Sequence, residues 1–332
     1  MKQLNLYLAI GLLFAFFGCS DNNTLPDPDP DPDPNPNPNV YAAGYELKAG
    51  NGEYMIAKYW KNGIAVNLSD GTDDADVFSI YVDGDDIYAA GFEGYDAVYW
   101  KNGKVTKLTN GSDDASANSI MVKDNDIHIA GYDGDDAVYW KNGIPVILSG
   151  NGEGATASSI FISGNDVHIA GSDGKIAMYW KNGVATRLSD GTHRAMATDI
   201  YVAGNDVYIA GYEGSNMKVQ RAIYWKNGIA TELTDGTERA VALSVFVKDN
   251  DIYVGGNQTV NKIAKATYWK NGIPVEVING GLVSSIYVYG EDVYMAGSNE
   301  EFIVATYWKN NLSYSLNSSN TEEAWINSIF VK

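Results

Sequence analysis

Three histidines, one cysteine and a scatter of acidic doublets are the residues whose types suit chemistry in this 332-residue chain. A nucleophile needs a base within hydrogen-bond reach, and a hydrolytic metal needs imidazole and carboxylate ligands converging on it. His128 and His168 each stand where equivalent segments carry a tyrosine, Tyr88 and Tyr208, so both are expected to be scaffold positions. Only His193 falls in a loop. The Asp-rich stretches at Asp83–Asp86 and Lys123–Ile127 offer oxygen ligands for calcium, yet neither completes a calcium loop with its terminal Glu. They are expected to be tight turns. No Ser/His/Asp set, carboxylate pair or metal cluster stands out, so the expectation is a non-catalytic protein with no metal and no cofactor.

The elements that position these residues follow from an internal repeat. The dipeptide Tyr-Trp ends at Trp60, Trp100, Trp140, Trp180, Trp225, Trp269 and Trp308, at spacings of 40, 40, 40, 45, 44 and 39. A period of this length marks a propeller, solenoid or array. One unit, from Ser119, divides into "SIMV", "DIHIAGY", "AVYWKNG" and "IPVILS", four short pieces rich in β-branched and aromatic residues and bounded by Gly, Asn or Asp. No segment of the chain beyond the first 39 residues has a sustained 3.6-residue apolar period. The spacing therefore predicts four antiparallel strands, a to d, per unit. Strand a starts at Ser79, Ser119, Ser159, Asp199, Ser244, Ser285 and Ser328, whereas the first strand b begins at Val40. The chain thus opens on b and ends on a. Pairing the two would close a seven-unit ring and remove its edges. In strand c, neighbouring side chains such as Tyr99 and Trp100 must face opposite ways, so the seven tryptophans are expected to be packing anchors between sheets.

The stretch "GNDVYIAGY" at Gly204–Tyr212, with its relatives in every unit, resembles the repeat of bacterial seven-bladed β-propeller proteins. The resemblance covers residues 40–332 and implies an all-β fold of seven four-stranded antiparallel blades. It implies no function, because propellers host many. The Gly-His and Trp-Asp signatures of WD repeats are absent, and "SDGKIAMYW" at Ser172–Trp180 lacks the spacing of a sialidase Asp-box.

Residues 1–18 read as a secretory signal: Lys2 is followed by the apolar run "LNLYLAIGLLFAFFG". Gly18 before Cys19, the only cysteine, resembles the lipobox of bacterial lipoproteins, with Phe16 and Phe17 departing from its usual residues. The "SDNN" that follows is similar to the surface-export signal of Bacteroidota-type lipoproteins. This resemblance implies lipidation at Cys19 and attachment to the outer membrane, at the cell surface or, as the alternative, on the periplasmic face. Residues 19–39 hold alternating proline, "PDPDPDPDPNPNP", which forbids helix and predicts an extended tether at about 3.1 Å per residue. The formal net charge of −19 argues against nucleic acid as a partner.

Function is expected where the repeat varies. Antiparallel strands bring the b–c and d–a connections to one face, and these differ in length and chemistry while the opposite turns stay short. Variable loops on a rigid scaffold are where binding resides. The candidate ligand-binding residues there are Tyr95, Asp96, Tyr132, Asp135, Lys175, His193, Arg194, Tyr212, Lys218, Arg221, Arg239, Lys262 and Lys265. Early loops add Asp73, Asp74, Asp113, Asp114 and Asp136, so an acidic arc is expected opposite a basic one. The resulting expectation is a lipid-anchored, monomeric binding protein of the cell envelope whose loop face takes a glycan or another envelope protein. A carbohydrate- or peptide-processing propeller enzyme and a scaffold subunit of an envelope complex are the alternatives.

Overall fold

The computed structural model describes residues 38–48, 54–149, 154–216, 218–301, 303–317 and 321–332. The expected lipidation at Cys19, the signal and the tether up to residue 37 lie outside the described residues. From Val40 onward the chain forms seven four-stranded antiparallel sheets. Blade 1 is the composite one. Its inner strand a is Thr321–Val331, followed outward by b (Val40–Lys48), c (Met55–Lys61) and d (Ile64–Asn67). The register runs Val40↔Val331, Tyr41↔Phe330, Ala42↔Ile329 and Ala43↔Ser328. It is extended by paired backbone bonds between Asn39 and Lys332, at 2.7 and 3.0 Å. The inner strands of blades 2 to 7 are Ala75–Asp83, Ala115–Lys123, Ala155–Ser163, Arg194–Ala203, Ala240–Lys248 and Gly280–Tyr289. Each touches the inner strand of the next blade, and the last meets the first through Thr321–Val331, which makes the ring complete.

Packing between blades explains the repeated aromatic pair. Trp100 sits in the core between blades 1 and 2, with Ala75, Val77 and Ile80, while Tyr99 packs into the core between blades 2 and 3. All seven Trp side chains of strand c are at most 1% exposed. The buried indole N–H groups of Trp60, Trp100, Trp180 and Trp269 have no hydrogen-bond partner, so these rings are held by packing. The turn after six of them is built by "KNG", and after Trp308 by "KNN". Asn102 (φ 51°) and Gly103 (φ 80°) are both left-handed, the geometry that matches the twist of a two-residue hairpin. Asn102 Oδ1 accepts the Ile87 N–H and its Nδ2 donates to Asp86, while Lys101 pairs with the same carboxylate at 2.7 Å. The same Asp–Lys–Asn set recurs at Asp126, Asp166, Asp206, Asp251 and Asp292. The repeated polar words are therefore turn chemistry, as are the Asp-rich segments. His128 and His168 likewise serve the blade, each bonding through Nδ1 to a strand-c tyrosine (Tyr139, Tyr179) at 2.7 Å.

Candidate ligand-binding site

The inner strands do one thing that simple alternation does not anticipate. Each of the seven carries a β-bulge, between Val77 and Ser79 in blade 2 and at the matching place in every other blade. A bulge inserts one extra residue, so two consecutive side chains can face the same side. Here residues 78 and 79, and their six counterparts, both turn to the central channel. The cost falls on strand b. A Cβ on Gly91 would run into the Asp76 carbonyl oxygen, and one on Gly171 into that of Thr156. The glycine of each "AGY"-like segment is there because the bulge brings a backbone carbonyl against it.

Three layers result. The waist is a ring of Ser79, Ser119, Ser159, Asp199, Ser244, Ser285 and Ser328. In six of its seven steps, the side chain accepts the N–H of the following residue in the next blade. Ile120 donates to Ser79, Ile80 to Ser328 and Ile329 to Ser285, each at 3.2 Å, and Val245 donates to Asp199 at 2.8 Å. At the remaining step Ser159 Oγ donates to Asp199 at 2.7 Å. Asp199 also accepts from Ser244 Oγ (2.9 Å) and from its neighbour's N–H on Ile200 (2.9 Å). Burial raises its carboxyl above the ordinary range, and these donors oppose that shift. On one side of the waist, Tyr81, Phe161, Tyr201, Phe246, Tyr287 and Phe330 form a girdle. Adjacent rings lie 4.8–5.4 Å apart, and Met121 occupies the seventh place.

On the other side, toward the b–c and d–a loops, lies a cavity of about 600 Å³. Its wall mixes hydroxyl and amide groups, from Asn118, Thr156, Ser158, Thr198, Ser284 and Asn327 above the serine ring, with the apolar side chains of Phe78 and Leu243, and apolar surface predominates. Tyr132, Met196, Leu282 and Trp325 line it at the loop end. Trp325, the eighth tryptophan, is half-buried, unlike the seven anchors. A smaller cavity of about 300 Å³ shares Leu243, Leu282 and Trp325 with it and continues past Tyr212, Gln220, Arg239 and Asn257. Behind the wall, Asp76 is buried and held by the Asn327 amide and the Val77 N–H, and burial pushes its carboxyl up to about 7. Beside it in blade 1, Glu46 and Lys58 form a buried ion pair, with Lys58 at the position that Val98, Val138 and Met178 hold in other blades.

The structure distributes the candidate residues over several places. Tyr132 reaches the central cavity, its hydroxyl directed to Asp114, and burial raises its pKa. Tyr212 and Arg239 reach the adjoining cavity, where Arg239 Nε donates to Gln220. Lys175 and Arg194 line one recess at the junction of blades 4 and 5, and His193 and Arg221 line another in blade 5. Tyr95, Asp135, Lys218 and Lys262 stand exposed and apart. Asp96 is buried against Lys107 Nζ at 2.5 Å, and Lys265 pairs with Glu276. Arg221 bridges Glu213 and Glu232, so much of the basic arc is neutralised within its own blades. Trp325, Asn118, Asn327 and the serine ring were not among the sequence candidates. Aligning "EEAWINS" with the other starts of strand a puts a tryptophan where they have Asp76, Ser116, Thr156 or Met196, which was the available signal.

The fold and its channel define a seven-bladed β-propeller with a central cavity of mixed polar and apolar lining. No protein-family model matches the chain, and no curated protein matches it. Among solved structures it is similar to a chain of the nidogen/laminin complex, with a TM-score of 0.45 and 7% identity over 88% of this chain and 98% of that one. It is also similar to YjhT, with a TM-score of 0.42 and 9% identity over 78% of this chain and 97% of that one.

Proposed function

We propose that this protein is a non-catalytic binding protein of the cell envelope, held by a lipid on Cys19, that takes a glycan at the loop-side mouth of its channel. The observation that supports this reading is the 600 Å³ cavity in which hydroxyl and amide groups stand among apolar side chains, with an indole at its entrance. Saccharides present alternating hydroxyls and apolar C–H faces. A wall of Ser, Thr and Asn answers the first, and Trp325 and Tyr132 offer rings to the second. The two carboxyls nearest the channel, Asp76 and Asp199, are both engaged by protein donors, which favours holding a ligand over turning one over. The outer strand Ile144–Ser149 supports a second reading, docking to an envelope assembly, because Ile144, Val146 and Ile147 are all exposed on it.

The test is a glycan-array screen of the full-length protein, followed by titration calorimetry with Trp325→Ala and Asn118→Ala. Loss of a stacking ring or of a buried hydrogen bond is expected to weaken binding by about tenfold each. Unchanged affinity in both variants would remove the site from the channel mouth. Retention of the lipid label by Cys19→Ser would remove the anchor.

A further inference from the structure

Most lysines and arginines of this acidic chain are spoken for, and the repeat shows how. Four residues before the Trp of strand c and seven after it, two side chains meet across the c and d strands. In blade 2 they are Asp96 and Lys107, in blade 5 Arg221 and Glu232, and in blade 6 Lys265 and Glu276, each an ion pair at 2.5–2.7 Å. Blade 4 has Ile176 and Arg187 at those positions. The arginine is kept and its carboxylate is replaced by an apolar side chain.

Two further cations converge on the same place. Lys175, from the b–c loop, and Arg194, at the start of the next inner strand, line one recess of about 780 Å³ with Arg187 and Ile176. All three cations are exposed, and none forms an ion pair among the described residues. Among the described residues, the carboxylate that lines the recess is Asp190. Its Oδ1 is occupied by the Thr192 N–H and hydroxyl at 2.8 and 2.7 Å, and those bonds hold its pKa below the ordinary range. Asp135 stands only at the edge, beside Gly154. The equivalents of Arg194 in blades 2 and 3 are Asp74 and Asp114; blade 6 has Arg239 there, but that arginine is turned to Gln220, so the three cations meet only at this recess among the described residues.

We infer that this recess is an oxyanion site, taking the carboxylate or sulfate ester groups of an acidic saccharide. Two guanidinium forks and an ammonium suit planar or tetrahedral oxyanions, and an anion is the ligand such unneutralised cations attract. The inference rests on the glycan-binding reading and narrows its ligand class.

The full-length protein is titrated with polygalacturonate, chondroitin sulfate and neutral dextran at low and high salt. Binding of one or both acidic polymers, weakening as salt rises, is expected, and which of them binds tells carboxylate from sulfate. Arg187→Ala/Arg194→Ala should weaken it about tenfold or more. Ile176→Asp is the sharper variant: it removes no cation but restores the pair seen at Asp96–Lys107, and should weaken acidic binding by a similar factor. Unchanged acidic binding in both variants overturns the inference, as does failure of both acidic polymers to bind the wild type. The two readings fail separately: loss of acidic binding in Arg187→Ala/Arg194→Ala or Ile176→Asp tests the recess, whereas the response of any glycan to Trp325→Ala tests the channel mouth.

Discussion

At the scale of single residues, position within the repeat decides what a side chain does. Seven tryptophans are walls between blades and the eighth, Trp325, is at the channel mouth. Six waist positions are serine and the seventh is Asp199. Asp76 makes a quantitative case. Burial raises its carboxyl to about 7, so the folded protein keeps a proton that the unfolded chain gives up near pH 4. Where the native state binds more protons, stability falls as pH rises, here across the window from about 4 to 7. Asp76→Asn should keep the bonds that Oδ1 accepts from Asn327 and Val77, giving up the second Asn327 bond at Oδ2, while removing this dependence. Urea midpoints at pH 4.5 and pH 7.5 are expected to show the variant gaining on wild type at the higher pH. A difference that does not change with pH would mean Asp76 titrates normally.

At the scale of elements, the bulged inner strand is the working part of each blade. It sends residue 77 into the core and residues 78 and 79 into the channel, and it requires glycine opposite. Gly171→Ala should cost about 3 kcal/mol or more, because the new Cβ meets backbone that cannot yield. Gly204→Ala, in a turn with open space around it and a φ of 59°, should cost only about 1 kcal/mol, the penalty of the left-handed conformation. Thermal or urea unfolding of the two variants gives the comparison. The same element explains which parts of the molecule the sequence reveals. Strand number, blade number and the buried Trp set are legible because they repeat, and alternation assigns their faces. The channel lining is not, because the inserted residue breaks the alternation from which faces are read. Ser79 and its counterparts were visible only as markers of strand a. The loop residues were legible as variable, but their pairing (Arg221 with Glu232, Lys265 with Glu276) depends on a cross-strand register that the loops themselves do not display.

At the scale of the whole molecule, the ring is held shut by Thr321–Val331 against Val40–Lys48, and removing Ser328–Lys332 strips blade 1 of the last four of the 11 residues of its inner strand. The melting temperature of this truncation is expected to fall by about 10 °C or more, since the core around Trp60, Ile329 and Val331 opens to water. An unchanged melting temperature would mean that the ring does not depend on its seam.

That seam also sets a timetable. Val40 is made 291 residues (331 − 40) before its partner Val331. At roughly 5–20 residues per second, the interval is on the order of tens of seconds. For all of it the strand has one unpaired edge, the kind of surface that recruits other chains. Every other blade is built from consecutive strands, so closure of the ring waits until Thr321–Val331 has been made. A chain stopped before that strand keeps six whole blades and an open edge, which marks it for proteolysis or aggregation.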